Sequence, residues 1–144
     1  MVKPSPALLG ALRPLLDAEA TAELDRELAK AKPDLTNILL RAARQASSPL
    51  DRTLLAAACR AACALLRQRH PGATIELRVP PFAAVQIGFG TGPKHTRGTP
   101  PNVVEFEPQE FLDLVVGKEN WASRPRRASG VHADEAAAAF PLIS

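Results

Sequence analysis

Residue types that mark metal sites, cofactor sites and disulfide-rich proteins are scarce in this chain of 144 residues. The sequence contains 2 cysteines, 3 histidines and 1 tryptophan, it has no tyrosine, and only 4% of its residues are aromatic. The three histidines are far apart in sequence, and no His, Asp or further Cys accompanies either cysteine at a spacing that metal sites use. We therefore predict no metal site and no cofactor.

The two cysteines, Cys59 and Cys63, lie one helical turn apart on an apolar segment. A disulfide across one turn of a continuous helix has poor geometry. Both cysteines are therefore predicted to be buried free thiols that pack as small hydrophobic groups. Free thiols are typical of a reducing compartment.

Long hydrophobic runs and a strong net charge are also missing. No apolar run approaches the roughly 18 residues of a membrane span, and Met1-Val2-Lys3-Pro4 is not followed by the apolar block of a signal peptide. The formal net charge of +3 is too small to imply a nucleic-acid partner. We expect a cytoplasmic protein with no integral membrane association and no bound nucleic acid.

The first half of the chain has helical periodicity. Apolar residues recur at spacings of three and four from Leu35 to Ala46, directly after Asp34, a candidate N-cap. The next start signal combines Ser48 as N-cap, Pro49 at the first helical position and Asp51 three residues after the cap. This pattern predicts a second helix, separate from the one over 35–46, that begins at Pro49.

That second helix is predicted to be the centre of the domain. From Leu54 to Leu66 only Arg60 is charged, so most sides of the helix must be covered by protein. Pro71-Gly72 ends it. A substitution that places a charge inside this helix should therefore destabilise the whole fold.

Strand periodicity begins at Thr74. Apolar residues alternate with polar or small ones over 75–79 and again over 83–89, with Pro80-Pro81 between them, which predicts an antiparallel hairpin. Four further elements follow: a third strand at 103–106, a helix capped by Glu107 and ended by Gly117, an edge strand at 127–131 and a short last helix at 134–139.

A polar loop at 90–101 separates the hairpin from the third strand. Its glycines do not precede a helix start, so a nucleotide fingerprint is disfavoured. The loop also concentrates the donor groups Lys94, His95, Thr96 and Arg97. Two interpretations remain open: a solvent-exposed loop braced by an ion pair of Arg97, or a polar mouth that binds an anion. In the second, His95 could act as a general base oriented by Glu105.

The chain from about residue 50 onward resembles a known family. The segments VPPFAAVQ at 79–86 and HTRGTPPNVVE at 95–105 are typical of it. So is the order of later elements: a helix that ends in Gly117-Lys118, a Ser129-Gly130 strand and a closing helix. Over roughly residues 50–143 the chain is similar to the sterol carrier protein fold family, in particular its small bacterial orthologues.

The resemblance implies an α+β fold: a sterol-carrier-like mixed sheet of four to five strands with helices on one face, preceded by an N-terminal helical segment. We expect a single domain over 1–144, made of an N-terminal helical extension at 1–47 and a sterol-carrier-like core at 48–144. The family fold encloses a lipid cavity between sheet and helices, which implies a carrier without catalytic residues.

The ligand expected from this resemblance is a lipid or another apolar small molecule. The residues expected to line its site are Leu77, Val85, Ile87, Phe111, Val115, Trp121, Phe140 and Leu142. Two alternatives remain open. The N-terminal helices could form an interaction or homodimerisation module with a vestigial cavity, or the His95–Arg97 loop could serve a small enzyme or an anion-binding protein.

Overall fold

The computed structural model describes residues 1–89, 102–123 and 127–143. Within these ranges the chain forms five α-helices and one four-stranded sheet. The helices are α1 (Pro6–Leu12), α2 (Ala18–Leu28), α3 (Thr36–Gln45), α4 (Arg52–Arg69) and α5 (Pro108–Val115). The strands are β1 (Ile75–Val79), β2 (Ala83–Ile87), β3 (Val103–Glu105) and β4 (Arg127–Ser129). Short 3₁₀ helices occupy Arg13–Leu15, Trp121–Ser123 and Ala133–Ala139.

The sheet is mixed, with strand order β2-β1-β3-β4. β1 and β2 form the predicted antiparallel hairpin, with Leu77 opposite Val85. β3 runs parallel to β1, and β4 pairs antiparallel with β3 at the far edge. The alternating apolar residues of β1 are fully buried, while Glu76 and Arg78 between them form an ion pair on the other face. Among the described residues the helices therefore cover only one face of the sheet, as the α+β prediction required.

Local capping explains where α5 begins and ends. The Glu107 side chain accepts a hydrogen bond of 3.1 Å from the Glu110 backbone N–H, and Pro108 is the first helical residue. Gly117 follows the helix with φ of +82°, the left-handed conformation that glycine adopts without steric cost. Both features were predicted from the sequence, and both are confirmed.

The predicted start of the central helix was wrong. α4 begins at Arg52, and its cap is Asp51, which accepts a hydrogen bond of 2.9 Å from the Leu54 N–H. Ser48 and Pro49 lie before the helix, where the Leu50 N–H donates to the Gln109 Oε1 at 3.1 Å. This contact joins the segment before α4 to α5 across the fold.

The N-terminal helices share one hydrophobic core with the sheet. α1 and α3 both pack against α4, and their leucines join a continuous cluster that extends to the C-terminal segment. Asp34 fastens the beginning of the chain to this layer: its Oδ1 accepts hydrogen bonds from the backbone N–H groups of Val2 (2.9 Å) and Thr36 (3.0 Å). The prediction of Asp34 as the N-cap was one residue too early: α3 starts at Thr36 and Leu35 holds the N-cap position, while Asp34 lies before it and accepts the Thr36 N–H.

Candidate ligand-binding site

Four aromatic side chains meet where β3, α5 and the C-terminal segment come together. We call Phe106, Phe111, Trp121 and Phe140 the aromatic cluster. The Phe106 ring centroid lies 5.6 Å from that of Phe111 and 5.7 Å from that of Trp121, and the Trp121 and Phe140 centroids are 5.9 Å apart. These separations are those of favourable aromatic pairs.

The cluster has a buried half and a half that meets solvent. Phe106 and Phe111 are fully buried, at 1% and 0% exposure. Trp121 and Phe140 are only partly buried and pack against the core from its margin. The four rings therefore form a continuous apolar path from the surface to the interior.

Backbone hydrogen bonds fix the two segments that carry the outer rings. Trp121 lies in the short 3₁₀ turn after Gly117. Phe140 follows the last 3₁₀ helix, and the next residues are fastened to α5 by hydrogen bonds from the N–H groups of Leu142 and Ile143 to the Val115 carbonyl, at 2.8 and 3.2 Å. The Arg69 guanidinium at the end of α4 donates to the Leu142 carbonyl at 2.7 Å.

The eight predicted lining residues fall into two groups. Trp121 and Phe140 belong to the partly exposed edge just described. The other six are interior residues: Leu77, Ile87, Phe111 and Val115 have 0% exposure, Leu142 has 6% and Val85 has 9%. A side chain with no accessible surface borders no space large enough for a water molecule, so the space around the first four is filled by protein.

The well-formed grooves of the described residues lie elsewhere. Of five that we compared, with volumes between 150 and 530 Å³, two contact Val85 and none contacts another predicted lining residue. Two of them, of about 320 and 380 Å³, lie along the exposed side of α4. In this conformation the predicted apolar set is a packed core with an aromatic edge.

Phe106 was not in the predicted site, although the sequence carried a signal for it. Val104 and Phe106 continue the two-residue alternation of the third strand, and the structure buries both on the helix-covered face. The Phe106 N–H donates to the Arg78 carbonyl at 2.9 Å, which extends the pairing of β3 with β1. Phe106 contacts the other three rings of the cluster.

The predicted polar mouth, Lys94, His95, Thr96 and Arg97, lies outside the described residues. The first described residue after it, Asn102, is buried and holds two parts of the chain together. Its Nδ2 donates to the Thr74 carbonyl at 3.0 Å, and its Oδ1 accepts from the His132 N–H at 2.9 Å. The His132 ring pairs with Glu135.

Cys59 and Cys63 are free and buried, as predicted. Burial raises the pKa of each thiol to about 12. Both therefore stay protonated at neutral pH, and since the thiolate is the reactive form, neither is suited to nucleophilic chemistry.

A family model described as bacterial SCP ortholog, where SCP stands for sterol carrier protein, matches residues 51–142, which are 92 of the 144 residues. A search of curated proteins returned no match. None of the helices in the described ranges has both the length and the hydropathy of a membrane-crossing helix.

Proposed function

Because this chain belongs to the family of bacterial sterol carrier protein orthologues, we propose that it is a non-enzymatic carrier of a lipid or another apolar small molecule. The ligand binds at the aromatic cluster. The cytoplasm, where its two free thiols would stay reduced, is the compartment that we propose for it.

The observation that carries this proposal is the partly exposed pair of Trp121 and Phe140, which contact the buried rings of Phe106 and Phe111 edge to face. The part of these two rings that still meets water is unfavourably hydrated, and a bound apolar molecule would cover it. Rings that continue into the core also give an alkyl chain or sterol ring a contact surface without charged groups.

Binding beyond the surface requires the C-terminal segment to move, since the interior is filled. The segment from Ala133 to Ile143 is a 3₁₀ helix followed by an extended tail, and 3₁₀ hydrogen bonds have poorer geometry than those of an α-helix. Displacement of this segment would carry Phe140 away from Phe106 and Phe111 and open a space between them.

Native mass spectrometry of the freshly purified protein, with an organic extract analysed beside it, tests the proposal. We expect a copurifying lipid in the wild type and its loss in Trp121→Ala. Phe82→Ala is the matched control: Phe82 is also a partly buried aromatic residue, but its ring lies under the Arg52 guanidinium, 5.1 Å away. An empty wild type that also fails to take up added fatty acids, sterols or phospholipids would overturn the proposal.

A further inference from the structure

The exposed side of α4 carries a charge pattern that the carrier function does not use. The helix Arg52–Arg69 contains four arginines and no acidic residue. Arg60 and Arg67 are exposed on it, and Lys3 of the N-terminal segment lines the same groove as Arg60. In the described ranges none of these three cations forms an ion pair with an acidic side chain.

Two adjoining grooves are lined by Lys3, Arg60 and Arg67. The first, of about 320 Å³, lies between the N-terminal residues and α4, and the second, of about 380 Å³, lies between α4 and β2. They share Arg60 and Ala64 and together extend along α4 from Thr53 to Arg67. At 1.5 Å per residue this length is roughly 21 Å. We call the joined surface the basic groove.

The floor of the basic groove is apolar and made of small side chains. The lining residues of α4 recur at spacings of three and four, and between the arginines they include Ala57, Ala61 and Ala64. Leu8 and Val2 border one end, and Phe82 and Val85 border the other. Alanines leave room for a second helix to approach α4 closely, within the 8–10 Å typical of packed helices.

The geometry points to an amphipathic, acidic helix of another protein as the occupant of the basic groove. Its apolar side chains would lie on the alanine floor at the spacing of a helix-in-groove complex. Its carboxylates would pair with Lys3, Arg60 and Arg67 at the rims. This inference goes beyond the proposed lipid binding and uses none of the residues of the aromatic cluster.

The charge and shape of the basic groove disfavour three other occupants: a second copy of this chain, a bilayer surface and a small molecule. Arg60 lies in the middle of α4, so a two-fold contact between two copies of this helix would bring Arg60 against Arg60 of the second copy. Insertion into a bilayer surface uses large protruding apolar side chains, and of those exposed in the described residues only Met1 borders the groove. A small molecule is held in a concave pocket that encloses most of it, whereas this groove is long and open.

The partner surface also explains what the N-terminal extension adds. Residues 1–8 form one wall of the basic groove and lie outside residues 51–142, the part matched by the family model, while α4 lies inside them. The groove is therefore built where the extension meets the family core. A docking site of this kind would be particular to chains that carry the extension.

Site-specific photocrosslinking in cells that express the full chain tests the inference. A photoreactive residue replaces Ala64 in the groove, and the control replaces Ala29, which is exposed at the end of α2. We expect an adduct at position 64 that is absent at position 29. Mass spectrometry should map it to a segment of a different protein that has net negative charge and a helical apolar repeat.

A peptide of the mapped segment then gives a quantitative test with the purified full chain. We expect the double change Arg60→Glu and Arg67→Glu to weaken binding at least tenfold, and rising salt to weaken wild-type binding. Arg60→Lys with Arg67→Lys should retain most of the affinity, and melting curves confirm that each variant is folded. No adduct above the control, an adduct with a lipid, an adduct with this same chain, or binding indifferent to the charge reversal would overturn the inference.

Discussion

The interior beneath the sheet and the edge at Trp121 and Phe140 contain the same kinds of apolar residue but differ in their contact with solvent. Leu77 and Ile87 have no accessible surface, whereas Trp121 and Phe140 are partly exposed. We propose that this difference assigns two roles: the filled interior stabilises the fold, and the partly exposed edge binds the ligand. Side chains that fill the interior hold the fold together, and a ligand must first meet the place where packing is incomplete.

The largest expected effect comes from a charge placed inside α4. Ala58 has 0% exposure, so Ala58→Asp buries a carboxylate without a partner and should cost about 4 kcal/mol or more, enough to unfold much of the protein. Ala64→Asp is the matched control because Ala64 is exposed on the same helix. Urea unfolding measures both. A loss below about 1 kcal/mol for Ala58→Asp would contradict the central position of α4.

The next prediction asks whether the interior is filled. Leu77→Ala should lower the free energy of unfolding by about 2–4 kcal/mol because it leaves a cavity in a packed core. Val131→Ala should change it by less than about 0.5 kcal/mol, since Val131 is 93% exposed. Thermal and urea melts of both variants measure the difference. A cost for Leu77→Ala close to that of Val131→Ala would indicate an open cavity beside Leu77 and break the contrast between interior and edge.

Local patterns predicted the sheet and α5 well, because their causes lie within a few residues. The alternation of 75–79 and 83–87 sets the hairpin, and Glu107 with Pro108 sets the start of α5. The predicted start of α4 was wrong: Asp51 rather than Ser48 caps the helix, and the Leu50 N–H before it donates to Gln109, which is 59 residues away. No local pattern contains that partner.

The sequence selected apolar residues for the site without distinguishing filled from exposed positions. By residue type alone, Trp121 and Val115 were equally good candidates for lining the site. In the structure they differ because the C-terminal segment lies against α5, hydrogen-bonded to the Val115 carbonyl. The absence of acidic residues from α4 was visible in the sequence, but the groove beside Arg60 depends on where the N-terminal residues lie. Packing between residues that are far apart in sequence therefore determines where both the aromatic edge and the basic groove lie.

A smaller effect is expected at Asp34, which fastens the N-terminal segment to the core. Asp34→Ala removes the acceptor of the Val2 and Thr36 N–H groups and should cost about 1 kcal/mol at neutral pH. Asp134→Ala, at an exposed aspartate, is the control. Chemical unfolding at neutral pH compares the two. Equal free energies of unfolding for the two variants would show that the hydrogen bonds of Asp34 contribute nothing to stability.

The hydrogen bonds that Asp34 accepts also predict a pH dependence of stability. Burial raises the pKa of the Asp34 carboxyl, but the hydrogen bonds from Thr36 and Val2 lower it more, so the folded-state pKa lies below its ordinary value. Asp34 therefore adds stability above its unfolded pKa of about 3.9 and loses this contribution as the pH falls through the folded pKa. We expect the stability difference between wild type and Asp34→Asn to be constant near neutral pH and to shrink below about pH 4. A difference that grows on acidification would contradict this.

The central claim, that an apolar ligand binds at the aromatic edge, is tested most directly by the emission of Trp121, the only tryptophan. Titration with a fatty acid, a sterol and a phospholipid should give a saturable shift for at least one of them. Phe140→Ala should weaken that binding about tenfold, and Phe82→Ala should leave it unchanged. Emission that stays constant with every ligand, or a shift that Phe82→Ala weakens as much as Phe140→Ala, would contradict the assignment of the site.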